Sequence, residues 1–202
     1  MSFQTNKYLV IKNAISKELA DFCFDYLLMK RRVYDTYRLL NFIDGSVQVF
    51  GYYNDQQVKG TFSFYGFTAI EVLLQNLKKL MEEKTEIKLI PTYSYGRIYK
   101  KGDVLERHKD RPSCEISTTL NIGGDPWPIY VKNEMQEEIE INLSHGDMLI
   151  YRGCDLEHWR NEFNGNVCAQ VFLHYNDLKN GEKYIYDRRP HLGLPANFVK
   201  TN

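Results

Sequence analysis

Between residues 89 and 177 the chain runs through eight short extended stretches: "LIPTYSYGRIY", "VLERHKD", "EISTTLNI", "WPIYVK", "EIEINL", "DMLIYRG", "EHWRN" and "VCAQVFLHY". The turn sequences "KKGD", "GGDP", "SHGD" and "FNGN" punctuate them, and no helical periodicity intervenes. Strands joined by short turns pair antiparallel and must bury a face. Such a series predicts a sandwich or barrel. Fifteen Tyr and eleven Phe suit strands and an aromatic-lined interior.

The flanks read differently, although 202 residues fit one domain, 1–202. Residues 1–88 carry the helices that would support the β core. "KYLVIKN" predicts a short strand. Ser16 is placed to cap a helix over "KELADFCFDYLLMKRR", with Leu19, Phe22, Cys23, Tyr26 and Leu27 on its apolar face. A second helix starts at Thr68, where Thr68 and Glu71 have capping-box spacing ahead of Val72, Leu73, Leu77 and Leu80. "SVQVFGYYND" and "GTFSFYG" read as strand and loop, and residues 32–67 could supply a lid or a substrate wall. The polar tail, 178–202, is expected to wrap the body or fray.

Charge narrows the function classes. Lys and Arg total 26, as do Asp and Glu, so no bulk attraction to nucleic acid or to an anionic membrane is expected. No apolar run has the length of a membrane span and no signal-peptide pattern opens the chain, which predicts a soluble cytoplasmic protein. Four cysteines without a C-x-x-C pair read as free buried thiols. Oligomeric state is not legible.

The chemistry concentrates in "LERHKDRPSCE". Residues i and i+2 of a strand share a face, so His108 and Asp110 would both point into the barrel and Lys109 away from it. Among the five histidines, His158 follows the strand–turn "GDMLIYRGCD" and would sit on a late strand. Together His108, Asp110 and His158 compose a two-histidine, one-carboxylate set, a donor arrangement that leaves iron(II) with open positions. His174 reads as a structural histidine and His145 as exposed. Cys114, Trp127 and Trp159 are candidates for pocket or core. Arg111 and Glu115 could support the site, whereas Asp103 and Asp147 belong to turns.

"YGRIYKKGDVLERHKD", "ISTTLNIG" and "GDMLIYRGCDLEHWRNEFNG" resemble the iron(II)- and 2-oxoglutarate-dependent oxygenases, on their prolyl 4-hydroxylase-like branch. The resemblance spans about Leu89 to Tyr175. It implies an α+β, mainly β fold: a double-stranded β-helix, or jelly roll, with supporting N-terminal helices. It further implies a dioxygenase using Fe(II), O2 and 2-oxoglutarate, with ascorbate as an auxiliary reductant. The reaction would convert 2-oxoglutarate to succinate and carbon dioxide while hydroxylating a peptide, a protein or a small molecule; peptidyl proline is one candidate. His108, Asp110 and His158 match the iron ligands, and Tyr99 matches a tyrosine that hydrogen-bonds 2-oxoglutarate. One departure stands out. The family usually places Lys or Arg about ten residues after the distal histidine, to pair with the far carboxylate. Here Asn166 to Gln170 contains no cation. Arg160, which would share a face with His158, is ranked first as the replacement, then Arg97, which shares a face with Tyr99, with Lys132 also considered. Gln170 could add a hydrogen bond. The competing reading is a metal-binding or cupin-like module without turnover, which the missing cation favours slightly and the intact triad counts against.

Overall fold

The computed structural model describes residues 2–44 and 48–198. In chain order the elements are α1 (Phe3–Asn6), β1 (Tyr8–Ile11), α2 (Lys17–Leu39), β2 (Phe62–Tyr65), α3 (Thr68–Thr85), β3 (Leu89–Lys100), β4 (Leu105–His108), β5 (Ile116–Gly124), β6 (Ile129–Lys132), β7 (Glu138–Ile141), β8 (Met148–Arg152), β9 (His158–Arg160) and β10 (Val167–Asp177). They form two antiparallel sheets. The larger has the order β1-β8-β5-β10-β3-β2 and the smaller the order β4-β9-β6-β7. Successive strands from β3 to β10 alternate between the sheets, apart from the β6–β7 hairpin. That is the jelly-roll path expected from the sequence.

The long strands of the larger sheet are buried on both faces. On β10, Ala169, Val171, Leu173 and Tyr175 pack outward in one cluster with Ala20, Cys23 and Leu27 of α2 and Ile70, Leu74 and Leu77 of α3. Cys168, Gln170, Phe172 and His174 alternate with them and turn toward the smaller sheet. Period-two alternation therefore sends the apolar set to the helices and leaves a polar and aromatic set for the interior.

Ser16 caps α2 as expected, accepting from the Leu19 amide at 3.3 Å. Leu19 and Phe22 nevertheless stay exposed, as does Val72 on α3. The helices lie on the sheet along narrower stripes than their apolar residues span. No capping box forms at Thr68: Phe67 is the N-cap, without a side-chain cap bond. Glu71 is instead drawn inward, where its carboxylate pairs with Arg189 at 2.8 Å and accepts from the Ser94 amide at 3.2 Å. An ion pair at 0% and 2% side-chain exposure outweighs a local cap. The same pair ties the tail to the Thr92 carbonyl of β3, to the Gly193 amide and to the Leu194 carbonyl; residues 199–202 lie outside the described part. The predicted "SVQVFGYYND" strand begins outside the described residues, and Gln48–Phe50 is a 3₁₀ turn. All four cysteines are free thiols, three of them buried. No described helix is long and apolar enough to cross a membrane.

Candidate metal and cosubstrate site

β4 and β9 are short neighbours in the smaller sheet, and their register sets His108 directly opposite His158. The imidazole centroids lie 4.2 Å apart. Each ring uses its Nδ1 on a backbone carbonyl two residues back: His108 on Glu106 at 2.8 Å and His158 on Leu156 at 3.0 Å. A carbonyl accepts, so both Nδ1 atoms carry the proton. Both Nε2 lone pairs are then free, and they point at Asp110 Oδ1 from 3.8 Å and 3.6 Å. One ligand atom from each of the three side chains lies within 4.8 Å of the others. This set can close on a single divalent ion.

Asp110 reaches this point by a different route from the one expected. β4 ends at His108, and Asp110 lies beyond it, its amide bonded to the Gly153 carbonyl at 2.8 Å. Strict alternation therefore stops at His108, and Lys109, which is exposed, borders both this cavity and a neighbouring surface cleft. The Asp110 carboxylate is seated by Ser117, whose hydroxyl donates to Oδ2 at 2.7 Å and also meets His174 Nδ1 at 2.9 Å. Gly153 makes room for it. A Cβ there would overlap Asp110 Oδ2 and stand 2.7 Å from Ser117 Oγ. Burial raises the Asp110 pKa, but its contact with the His158 ring and the hydrogen bond from Ser117 more than offset this and hold it below the ordinary carboxylate range. Burial and the neighbouring His158 lower the pKa of His108. Both groups are thereby kept in their ligating forms.

Two residues past His158, on the same face of β9, Arg160 is fully enclosed at 1% exposure. Its guanidinium donates to the Trp127 carbonyl and, at 3.3 Å, to Thr119 Oγ1; Nε has no partner. Among the described residues no carboxylate pairs with it. Burial pushes its pKa down, opposed in part by Cys168, Tyr99 and Tyr151. Thr119 also bonds Gln170 Oε1 at 3.1 Å. Tyr99, at 0% exposure, packs edge-on against Trp127. Arg160, Tyr99 and Gln170 thus meet in one interior region.

The other two cation candidates are placed otherwise. Arg97 faces inward beside Tyr99, donating to its hydroxyl at 3.3 Å, but it is already neutralised by Asp55 at 2.6 Å. Lys132 stands near Glu157 at 4.0 Å and lines a different surface cavity. Trp159 stacks on Tyr130 and under Arg107, away from the cavity, whereas Trp127 floors the interior. Glu115 anchors the tail through Asp177 and Asn180 instead of supporting the site. His174 is buried and is not part of the His108–Asp110–His158 cluster. Asp55 and Asp187, which hold the mouth arginines, were not singled out in the sequence. Nothing local marks them, since their partners lie 42 and 76 residues away.

The site opens through a cavity of about 270 Å³. Tyr93, Tyr95, Phe172 and His174 form its walls, and Gln57, Arg97 and Arg111 border it.

No family model matches the chain, and no curated protein matches it in sequence. Solved structures do. A prolyl-4-hydroxylase of Pseudomonas putida superposes with a TM-score of 0.61 at 12% identity, over 87% of this chain and 95% of that one. A prolyl hydroxylase from Trichoplax adhaerens, in complex with a hypoxia inducible factor oxygen degradation domain peptide fragment, gives 0.63 at 13%, over 88% and 86%. HygX from Streptomyces hygroscopicus, with nickel and 2-oxoglutarate bound, gives 0.60 at 11%, over 87% and 84%. The fold is that of the 2-oxoglutarate- and iron(II)-dependent oxygenases, prolyl hydroxylases included.

Proposed function

We propose that the chain is an iron(II)- and 2-oxoglutarate-dependent dioxygenase. In this reading His108, Asp110 and His158 hold the metal, and Arg160 holds the far carboxylate of 2-oxoglutarate with help from Tyr99 and the Thr119–Gln170 pair. The observation that carries it is the enclosed Arg160 guanidinium without a counter-ion, on the same face of the same short strand as His158. A buried charge of this kind is expensive to maintain. Charge arithmetic gives it a purpose. A divalent ion, the Asp110 carboxylate, a dianionic oxo-acid and Arg160 sum to zero, and removing any one of them leaves the interior charged.

Each residue has a definable task. The Nδ1–H bonds of His108 and His158 to backbone carbonyls fix both rings with Nε2 presented. Ser117 orients the Asp110 carboxylate. Arg160 offers two fork donors to a carboxylate, a geometry that an ammonium would not match. Trp127, Phe163, Leu105 and Tyr99 pack around this region and exclude water from it. When bound, iron and 2-oxoglutarate supply the oxidation: dioxygen is consumed, the oxo-acid becomes succinate and carbon dioxide, and one oxygen atom passes to the substrate.

The likeness to prolyl hydroxylases supports hydroxylation as the outcome, and peptidyl proline is the first substrate to test. The experiment is succinate release from 2-oxoglutarate with iron(II) and ascorbate, with Asp110→Ala as control. Succinate from the native chain and none from the variant is expected. Iron uptake without succinate, across proline peptides and small-molecule candidates, would favour the non-catalytic metal-binding module.

A further inference from the structure

The cavity leading to the metal-binding cluster has an uneven charge distribution. Among the residues that line it, Asp110 is the single acid, against three cations: Arg97, Lys109 and Arg111. If the interior is neutral when loaded, as the proposed function requires, the mouth decides which substrates enter. Arg97 is spent on Asp55 and Gln57, at 2.6 Å each. Lys109 is exposed, stands between this cavity and a neighbouring cleft that holds Glu134, Asp155 and Glu157, and has no ion pair among the described residues. Arg111 lies between these extremes. Nη2 meets Asp187 at 2.6 Å, Nε donates to Tyr93 Oη at 3.2 Å, and Nη1 is left over. Its guanidinium lies 4.6 Å from the centre of the Tyr93 ring.

Asp187 is held in place at a cost. Tyr186, Asp187 and Arg188 all adopt left-handed backbone conformations, with φ of 50°, 54° and 66°. Such angles are uncommon for residues other than glycine. The run is pinned on one side by the enclosed Arg189–Glu71 pair and on the other by Tyr65, whose hydroxyl donates to Asp187 at 2.8 Å. The strained tail therefore presents a carboxylate to Arg111 from behind, outside the cavity. Arg111 is parked beside an opening that it can serve with its free nitrogen.

We infer that the substrate carries a carboxylate, received at the cavity mouth by Lys109 and Arg111, with its apolar remainder against Tyr93, Tyr95 and Phe172. This rests on the proposed function for what happens beneath the mouth, but not for the mouth itself. Both cations line the same cavity as His108 and Asp110, so an acid received there would hold its neighbouring carbons beside those side chains. Tyr93 and Tyr95 alternate on β3, and Phe172 pairs with Tyr95 in the strand register, which makes a continuous aromatic wall.

The test compares phenylacetate with its neutral isostere phenylacetamide by calorimetry, on protein loaded with Mn(II) and 2-oxoglutarate and on metal-free protein. Loading is measured first. Failure to take up Mn(II) or 2-oxoglutarate counts against the proposed function, and the metal-free arm still tests the mouth. The acid should bind roughly tenfold tighter than the amide at low salt, an advantage that shrinks as salt screens it. Lys109→Gln should erase most of that preference. Asp187→Asn, which keeps an acceptor for Tyr65 but releases Arg111, should tighten the acid severalfold. A merely structural Arg111–Asp187 pair would not produce that sign. Equal affinities for acid and amide, absent binding included, or weaker acid binding in Asp187→Asn, overturn the inference.

Discussion

Replacing Arg160 by Met tests whether this arginine belongs to the fold or to a ligand. The substitution keeps a flexible apolar stem and removes the cation. The protein loses the hydrogen bonds to the Trp127 carbonyl and Thr119 Oγ1. At ~1.5–3 kcal/mol for each bond from a charged donor, that is about 3–6 kcal/mol. Against this, an enclosed guanidinium without a counter-ion no longer has to be desolvated, a relief of several kcal/mol. The two nearly cancel, so the ligand-free variant should unfold within a few degrees of the native chain. Binding should behave otherwise. Removing one partner of a buried ion pair costs ~3–5 kcal/mol, which weakens 2-oxoglutarate at least 100-fold. With 2-oxoglutarate at about 100 times its dissociation constant, the native Mn(II)-loaded protein gains ~2.7 kcal/mol, or about 5–11 °C in a chain of this size. At the same concentration the variant gains ~0.4 kcal/mol at most, about 1 °C. Differential scanning fluorimetry with Mn(II) alone and with Mn(II) plus 2-oxoglutarate separates the effects, because the metal shift should persist. A full 2-oxoglutarate shift in Arg160→Met would refute the assignment and return the search to Arg97.

Three further outcomes follow from the same geometry. Asp110→Ala should abolish Mn(II) binding, read by loss of the bound-metal signal in paramagnetic resonance, while circular dichroism stays native. Gly153→Ala should push the Asp110 carboxylate off the histidine nitrogens and weaken Mn(II) at least tenfold, with a stability loss of ~1–3 kcal/mol in chemical denaturation, as for other overpacked sites. His174 should make the metal-free protein acid-sensitive. Burial lowers its pKa to about 4, so between pH ~6.5 and about 4 the unfolded chain binds the extra proton and stability falls as pH falls. The full loss is about 3 kcal/mol, and His174→Gln should flatten that part of the stability–pH curve relative to the native chain.

The strands of the β core could be read from the sequence because their signals are local: β-branched and aromatic runs, and Gly–Asp turns that cannot continue a strand. His158 was found from its position after such a turn. Where the reading failed, a distant partner had overridden a local preference. Glu71 has the spacing of a capping box, but Arg189, 118 residues away, takes its carboxylate inside. Asp110 should follow His108 on one face by alternation, but β4 ends at His108 and the Gly153 carbonyl, 43 residues on, places Asp110 by binding its amide. Leu19 and Phe22 satisfy a helical period, but the period says nothing about how wide a stripe the sheet can cover.

The cosubstrate cation is the instructive case, since the strand that usually carries it has none here and the proposed function needs another strand to supply it. A dianion enclosed between two sheets needs a guanidinium or ammonium on the interior face, and any inward position of adjacent strands can supply one. β10 presents Gln170 there, and Thr119 of β5 connects Gln170 to Arg160 of β9. On the proposed function, the cation would stand across the barrel from its usual strand while remaining within one hydrogen-bonded set. Arg97, nearer to Tyr99, ranks below Arg160 only once the structure shows its ion pair with Asp55, a residue on an irregular loop that the sequence does not connect to it. The difference between the two arginines is thus one of pairing. The one at the mouth is neutralised by the protein, and the one in the interior is left for something else to neutralise.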